Sequence, residues 1–529
     1  MSIYNKFVDE YFDLSPSINE FFRIKKYEHL DGIQENYFSP EYNSKAEKLF
    51  RKYIKIIENK KVKNINDKCL IYYLKQELIS LKSNLKYLPI NHHENFLVNY
   101  MELISGNSYF KMRNKTEYIN IINKTIVYPE IIDSCIDLLN QGIKKGIVLS
   151  KLLCKLLIKQ LHVSLQKKIY HNKKADSYKD LNFNKVIDQL LEPKVSEFIQ
   201  YLQKVYLKHC NEKDGLCQLP NGKNLYKEIS EDNLTLKKIS IPEIFKYGMS
   251  ECNRILKSMI IIKNNQNYDG NIRDFNKYLS SNKKFQYQSK DEIMKSFRTM
   301  IKEIKDTVMK TEFKDTIKYD MDLKSVPEYN QEFASGAYYI SSDVQNTRKG
   351  TFYINLGNLR SQNKLESESL TLHEAYPGHH FQIQHMIENK KIPFFLNIFE
   401  STAFAEGWGL YSETLGEYKD ELSYYGKLNM EMLRSIRLVL DTGIHYYGWD
   451  YEKCFKFFKK FSFYSDDSIK NEIHRYMSIP GQALAYKMGE KVFLDLKKKY
   501  DGNNQDFHHK IFKNGNIPLY ILIKNFDDI

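Results

Sequence analysis

The chain has 529 residues, of which 42% are apolar and 14% aromatic, a composition that excludes an intrinsically disordered protein. Lysine plus arginine exceed aspartate plus glutamate by 80 to 66, which gives a formal net charge of +14. The lysines are spread along the chain and form no dense arginine-rich cluster, so the charge does not indicate a dedicated nucleic-acid-binding surface.

Most of the chain is predicted to be helical, because apolar residues recur every three or four positions and only 12 prolines and 22 glycines interrupt them. The clearest helical segments are residues 46–60, 134–165 and 185–210. Strand-like sequence is confined mainly to Gly336–Asn358, where β-branched and aromatic residues flank the turn sequence NTRKG. We therefore expect a mainly α, large multi-helix fold with a small β-hairpin or edge sheet near residues 336–358.

The sequence shows no internal repeat and no linker rich in proline or serine. It predicts a single helical domain over residues 1–529, with a soft boundary in the polar stretch 280–292. In this interpretation residues 1–290 are mostly scaffold and substrate-channel helices, and residues 291–529 carry the motifs of a metal site.

Neither the cysteines nor the N-terminus predicts export. The seven cysteines are scattered and include no Cys-x-x-Cys pair, so they indicate neither a thiolate zinc site nor a disulfide framework. The first residues, MSIYNKFVDEYFDLSPS, lack a basic start followed by an apolar run. No stretch reaches the ~18 apolar residues of a spanning helix. We expect a cytoplasmic protein without a membrane partner.

The stretch LTLHEAYPGHHFQIQH, residues 370–385, holds four of the 14 histidines. It begins like the signature of zinc hydrolases, with a histidine, His373, followed by a glutamate, Glu374. In that signature the second ligand stands four residues further on, because positions i and i+4 share one face of a helix. Here that position is Pro377.

Two histidines are therefore candidates for the second ligand. In an unbroken helix His379 lies nearly opposite His373, whereas His380 returns to the same face about 10 Å along the axis. Pro377 and Gly378 are expected to break the helix. The geometry favours His380 if the helix resumes in phase and His379 if the Pro-Gly pair is looped out.

Several motifs in order resemble the domain of unknown function 885 family. They are FVDEYFDLSPSINEFF, DGLCQLPNGKNLY, HEAYPGHHFQ, EGWGLY, RLVLDTGIHYYGWD and RYMSIPGQALAYKMGE, which together span nearly the whole chain. The resemblance implies an all-helical fold similar to thimet-oligopeptidase-like and carboxypeptidase-Taq-like metallopeptidases. It also implies a metal-dependent peptidase or related amide hydrolase. Many members of that family carry secretion or lipoprotein signals, which we do not find at this N-terminus.

Residues and resemblance together suggest a catalytic zinc site with one ion per chain. His373 is the first ligand, His379 or His380 the second, and Glu406 the third, with Gly407 allowing close approach. Glu374 is the candidate general base. Glu413, seven residues after Glu406, is a candidate for supporting a ligand. The alternative interpretation of the whole window is a polar helix surface or a degenerated site.

Weaker candidates lie further along the chain. His445, four residues after Asp441, is suited to orienting a ligand or donating to an oxyanion, and a buried structural Asp–His pair is the alternative. Arg475 and Tyr476 are candidates for holding a substrate carboxylate and the oxyanion, with Tyr486 and Arg437 as further candidates; a structural ion pair is the alternative. The strand 351–356 is either an edge that receives an extended peptide or a plain hairpin.

The sequence thus predicts a zinc-dependent hydrolase of peptide or aminoacyl amide bonds that acts on short substrates, with no nucleic-acid partner. The alternative is a catalytically silent helical binding protein that retains the peptidase fold. Cleavage at a chain end and cleavage within a chain are both compatible with these residues.

Overall fold

The computed structural model describes residues 2–61, 63–106, 110–328, 331, 336–359, 362–462 and 464–528. The α-helix predominates in these residues beside one small sheet, which confirms the predicted fold class. The chain divides into two compact units, residues 1–226 with 477–479 and residues 227–476 with 480–529. The single-domain organisation stays a prediction, because compactness alone does not show whether a unit folds independently.

The first unit is built from helices. They are α1 (Ile3–Leu14), α2 (Asn19–Phe22), α3 (Pro40–Glu58), α4 (Ile65–Lys82), α5 (Phe96–Ile104), α6 (Lys115–Thr125), α7 (Tyr128–Lys145), α8 (Lys151–Gln166) and α9 (Phe183–Lys204), and α10 (Gly222–Leu234) continues into the second unit. The segment 134–165, predicted as helical, is two helices. Helix α7 ends at Gly146, whose φ of 69° is the left-handed conformation that glycine tolerates, and Ser150 caps the start of α8.

The second unit contains the remaining helices. They are α11 (Ile241–Asn265), α12 (Ile272–Ser281), α13 (Lys290–Asp306), α14 (Val308–Glu312), α15 (Ser367–Glu374), α16 (His379–Glu388), α17 (Phe395–Ile398), α18 (Thr402–Ser412), α19 (Glu421–His445), α20 (Tyr451–Phe461), α21 (Asp466–Ser478), α22 (Ala485–Lys499), α23 (Asn504–Phe512) and α24 (Leu519–Asn525). Short 3₁₀ helices include Glu413–Leu415 and Gln482–Leu484. The residues with candidate catalytic or metal-binding roles all belong to this unit.

Helices α18 and α22 pack with their backbones in contact, because each contributes a glycine at the crossing. A Cβ atom on Gly407 would lie 2.4 Å from the Cα atom of Gly489, and one on Gly489 would lie 2.1 Å from the carbonyl oxygen of Ala403. A side chain at either position would push the helices apart. The contact therefore holds in place the helix that carries Glu406.

The sheet consists of β1 (Asp322–Ser325), β2 (Ala337–Ile340) and β3 (Thr351–Ile354) in the order β1-β3-β2. Strand β3 pairs in parallel with β1 and antiparallel with β2, so the predicted hairpin is present around the NTRKG turn. The suggestion that an extended peptide adds to residues 351–356 is wrong for Thr351–Ile354. This strand lies in the centre of the sheet, and its main-chain groups already pair on both sides.

Candidate metal centre

A short loop separates the helix that carries His373 from the one that begins with His379. Helix α15 ends at Glu374, and α16 starts after Gly378, with a cis peptide bond between Tyr376 and Pro377. A Cβ atom on Gly378 would lie 1.8 Å from the carbonyl oxygen of His373, so this tight turn requires glycine. The indole of Trp408 donates a hydrogen bond of 2.9 Å to the carbonyl oxygen of Pro377. The Pro-Gly pair is thus looped out of the helix.

The loop and helix α18 bring together His373, His379 and Glu406, which we call the metal group. Glu406 Oε2 lies 3.6 Å from His373 Nε2 and 3.5 Å from His379 Nε2. One possible ligand atom from each residue lies within 4.8 Å of the other two. His373 is buried, and the side chains of His379 and Glu406 are 14% and 22% exposed, so the group has a side that solvent reaches.

The two distances to Glu406 are longer than direct hydrogen bonds and close to the distance between two ligands of one zinc ion. A charge-assisted hydrogen bond between nitrogen and oxygen spans about 2.7–2.9 Å, so distances of 3.5 and 3.6 Å are too long for one. Ligand atoms about 2.0–2.1 Å from a tetrahedral zinc ion stand about 3.3–3.4 Å apart. Two imidazoles and a carboxylate are also the donor set of catalytic zinc sites.

The orientation of His373 is determined by a carboxylate behind it. Its Nδ1 lies 2.9 Å from Glu413 Oε1, and Glu413 is fully buried. Because a carboxylate only accepts, Nδ1–H donates this bond, and Nε2 is the ring nitrogen that faces Glu406. A Cβ atom on Gly409 would lie 2.7 Å from Cε1 of the ring, so glycine there makes room for the imidazole.

Neighbouring charges shift the pKa values of the metal group. Burial lowers the pKa of His373, but the carboxylates of Glu406 and Glu413 outweigh it and raise the pKa to about 9. Burial raises the pKa of Glu406, but the imidazoles of His373 and His379 hold it well below its ordinary value. Without a metal ion, the group therefore retains a proton on imidazole and an ionised carboxylate.

Glu374 is the last residue of α15 and is half-buried. Among the described residues, its carboxylate forms no hydrogen bond or ion pair, although its charge acts on the adjacent His373. It is therefore available to accept a proton beside the metal group.

His380 does not belong to the metal group, although the sequence left it open as a ligand. Tyr376 Oη donates to Asp320 Oδ1 at 2.8 Å, so it accepts from His380 Nε2–H at 3.1 Å. The other ring nitrogen, Nδ1, then accepts from the Tyr339 hydroxyl at 2.9 Å. Burial lowers the pKa of His380 to about 4. Both nitrogens are occupied by protein partners, and neither offers a lone pair to a metal.

Tyr476 is also placed differently from the prediction. Its hydroxyl donates to Glu472 and accepts from Arg437 Nε at 3.3 Å, and the side chain is 1% exposed. Its only proton is therefore used within the protein, and the structure leaves no donor there for an oxyanion. Arg475, which is 24% exposed, donates to Gln482 Oε1 at 2.8 Å and to the Tyr486 hydroxyl at 3.4 Å.

His445 and Asp441 bind the main chain around the turn after α21. His445 Nε2–H donates to the carbonyl oxygen of Tyr476 at 2.8 Å, and Asp441 Oδ1 accepts from the amide of Gly481 at 2.9 Å. Burial lowers the pKa of His445 to about 4. These contacts join both side chains to the main chain and give no support to a catalytic role for His445.

Two charged residues near the metal group were missed in the sequence. Arg434 Nη2 lies 3.6 Å from Glu413 Oε1, where it balances the buried carboxylate that holds His373. Glu400 is exposed, and its charge interacts with those of His379 and Glu406. Arg434 could have been found from the sequence as an arginine within the apolar pattern of α19. Glu400 could have been found from its position directly before Ser401, the residue that caps the start of α18.

The family model described as bacterial protein of unknown function, DUF885, matches residues 25–525. The chain belongs to this family. It is similar to a solved structure described as a putative lipoprotein from Colwellia psychrerythraea, with a TM-score of 0.87 and 23% identity over 99% of this chain and 98% of the other. A second, described as a putative lipoprotein of unknown function from Shewanella oneidensis, has a TM-score of 0.75 and 17% identity, with 98% of each chain covered. No curated protein matches the sequence.

The comparisons overturn the prediction of a cytoplasmic location. Both solved structures are described as lipoproteins, a class of exported, membrane-anchored proteins. Among the helices that the structure describes, none has the length and apolar character needed to cross a membrane.

Proposed function

We propose that the protein is a zinc-dependent hydrolase of peptide or aminoacyl amide bonds that binds one ion per chain. The observation that carries the proposal is the spacing in the metal group, where Glu406 stands 3.5 and 3.6 Å from the two imidazoles. This spacing is too wide for direct hydrogen bonds and close to the edge of a zinc tetrahedron. Three protein ligands leave a fourth position open, as catalytic zinc sites do.

The residues of the metal group and its neighbours would have different roles in hydrolysis. His373, His379 and Glu406 would hold the ion. A zinc ion supplies a Lewis acid that polarises a carbonyl and makes water more acidic. Glu374 accepts the proton of the attacking water and returns it to the leaving amine. Glu413 fixes the orientation of His373 through Nδ1.

The peptide or amide substrate is supported by the order of the site residues along the chain. The pair His373-Glu374, followed by a second histidine and by a glutamate on a later helix, resembles the arrangement in helical metallopeptidases. The structure places these residues on α15, α16 and α18, three helices that meet around one point.

The test combines metal analysis with digestion of a peptide library. We expect the purified protein to contain one zinc ion per chain and to cleave short peptides. Glu374→Gln should retain zinc and lose about 10²- to 10⁴-fold in kcat, because the general base is removed. Glu368→Gln is the matched control, since this half-buried glutamate lies on the same helix and accepts from the amide of Tyr418 instead.

A catalytically silent binding protein gives a different result. It would leave every peptide uncut whether or not it bound zinc, and Glu374→Gln would change nothing measurable. A zinc-loaded protein that cleaves no member of the library therefore contradicts the proposed activity.

A further inference from the structure

A cluster with a surplus of positive charge lies in the second unit, on three helices. We call it the arginine cluster; it consists of Arg437 on α19, Glu472, Arg475 and Tyr476 on α21, and Tyr486 on α22. Arg437 Nη2 lies 3.1 Å from Glu472 Oε2, and its guanidinium lies 4.5 Å from the centre of the Tyr486 ring. Arg475 is further from the acid, with 3.8 Å between Nη1 and Glu472 Oε1.

The cluster contains two guanidinium groups and one carboxylate. Burial raises the pKa of Glu472, but Arg437 and Arg475 outweigh it and hold the pKa at about 2, so the acid is ionised. Its short contacts go to Arg437 and Tyr476. Arg475 is left with this distant carboxylate and two neutral acceptors, Gln482 and Tyr486. Two guanidinium groups share one carboxylate, so an anion from outside would balance the remaining positive charge of the cluster.

Tyr486 adds a second donor at the same place. Its hydroxyl accepts from Arg475 Nη2, and among the described residues no acceptor takes its own proton. A guanidinium and a hydroxyl that point to one place can together donate to both oxygens of a carboxylate. The 24% exposure of the Arg475 side chain leaves part of this surface open.

The packing of α22 against α18 connects this cluster to the metal group. Gly489 touches Gly407, the residue after Glu406. Tyr486 precedes Gly489 by three residues, which is less than one helical turn and about 4.5 Å along the axis. The hydroxyl-bearing residue of the cluster therefore lies about one turn from the point where α22 meets the ligand-bearing helix.

We propose that Arg475 and Tyr486 bind the free C-terminal carboxylate of a short peptide substrate. This inference rests on the proposed hydrolase function and adds the class of substrate to it. A peptide held at its carboxylate would present a bond near its C-terminal end to the metal group. The enzyme would then favour short peptides that end in a free acid over the same peptides ending in an amide.

The first experiment measures binding without hydrolysis. Zinc-loaded Glu374→Gln protein is titrated calorimetrically with one pentapeptide, prepared with a free C-terminus and as the C-terminal amide. We expect the acid to bind about tenfold or more tightly than the amide, because a charge-assisted bidentate contact is lost in the amide. Adding Arg475→Gln should abolish this preference, and Arg475→Lys should restore part of it. Lys498→Gln, which removes an exposed charge from the same helix as Tyr486, should leave the preference intact.

Steady-state kinetics on the same peptide pair give the second result. In protein with an intact Glu374, Arg475→Gln should raise KM for the acid about tenfold with little change in kcat, and should leave the amide unaffected. Equal binding of acid and amide, or a preference that survives Arg475→Gln, overturns the inference. If Arg475→Gln does not fold, the comparison of acid and amide binding on protein that keeps Arg475 still tests the inference.

Failure of the inference and failure of the proposed function are distinguishable. A protein that cleaves acid and amide peptides equally, in a manner that depends on Glu374, is a hydrolase without this carboxylate site. A protein that cleaves neither peptide but binds the acid through Arg475 has the carboxylate site and lacks the activity.

Discussion

Two groups of polar side chains in the second unit, each partly buried, differ in whether their atoms touch. In the metal group, the carboxylate of Glu406 stands 3.5 and 3.6 Å from the imidazoles. In a second group, which we call the ion network, the partners touch. Its members are Glu251 and Arg254 on α11, Lys427 and Glu431 on α19, and Lys487 and Glu490 on α22.

The ion network pairs each of its cations with at least one of its carboxylates. The three donors of the Lys487 ammonium meet Glu431 at 2.6 Å, Glu490 at 2.5 Å and Glu251 at 3.1 Å. Burial lowers the pKa of Lys487, but Glu490 and Glu431 outweigh it and raise it above its ordinary value. With three cations and three carboxylates, the network carries no net charge.

The difference separates two uses of buried charge. Groups that touch and balance hold helices together, as the ion network does for α11, α19 and α22. Groups that combine two imidazoles and a carboxylate around one point, as the metal group does, have the donor set that the proposed zinc ion requires. The type of donor atoms, together with their spacing, therefore distinguishes the candidate site from the scaffold, because the ion network contains no imidazole.

The largest effect that we expect from a substitution in either group is loss of the metal. His379→Ala removes a ligand, and we expect the purified protein to lose stoichiometric zinc, measured by elemental analysis and by competition with a chromophoric chelator. His380→Gln is the matched control on the neighbouring residue, because both nitrogens of His380 bind tyrosine hydroxyls. Zinc retained in His379→Ala and lost in His380→Gln would show that the assignment of the two histidines is reversed.

The second largest effect is expected on the free energy of unfolding when the ion network loses one of its cations. Lys487→Met leaves three buried carboxylates with two cations, and breaking a buried pair in this way costs about 3–5 kcal/mol. Both tryptophans, Trp408 and Trp449, belong to the second unit, so their fluorescence during chemical denaturation reports its unfolding.

The control for this stability prediction lies one turn further along α22. Lys491 pairs with Asp495 at the surface, with side chains 39% and 55% exposed, and Lys491→Met should change stability by no more than about 0.5 kcal/mol. Zinc content should be unchanged in both variants. A Lys487→Met protein of normal stability that has lost its zinc would place the ion network in the functional site instead.

Local sequence patterns were sufficient for the helices and the hairpin, and they also selected, among the candidate ligands, His373, His379 and Glu406, which lie together in the structure. Apolar periodicity predicted the helices, and β-branched runs around NTRKG predicted the hairpin. The Pro377-Gly378 pair predicted a break between α15 and α16, and Glu406 was selected from the next helical segment. These features depend on residues that are close in the chain, where propensity and spacing carry information.

The choice between His379 and His380 depended on contacts that the local pattern does not contain. Trp408, 31 residues downstream of Pro377, holds the loop, and tyrosines from β2 and the loop itself occupy His380. Gly407 was expected to let Glu406 approach its partners, but its close contact is with Gly489, and Gly409 makes the room for His373. The proton of Tyr476 goes to Glu472, four residues earlier on the same helix, a local contact that the sequence interpretation overlooked.

The smallest predicted effect concerns Glu413, a fully buried residue that binds His373 on the side of the ring away from Glu406. Glu413→Gln keeps the shape and an acceptor for His373 Nδ1–H but removes the negative charge that makes the imidazole a stronger ligand. We expect zinc affinity to fall about 10- to 100-fold, measured by competition with a chelator. The metal-free protein should also lose stability, because the buried Arg434 loses the carboxylate that balances it.

The control for Glu413 is the same substitution at Glu366, a half-buried glutamate that accepts from Asn429 at 2.5 Å. It lies near Arg434 and Glu413, so it tests whether any loss of negative charge in this region weakens zinc binding. If Glu366→Gln weakens zinc binding as much as Glu413→Gln does, the effect is a general one of charge, and the contact with His373 is not its cause. An effect confined to Glu413→Gln shows that this contact makes His373 the stronger ligand, because only Glu413 holds the Nδ1–H bond.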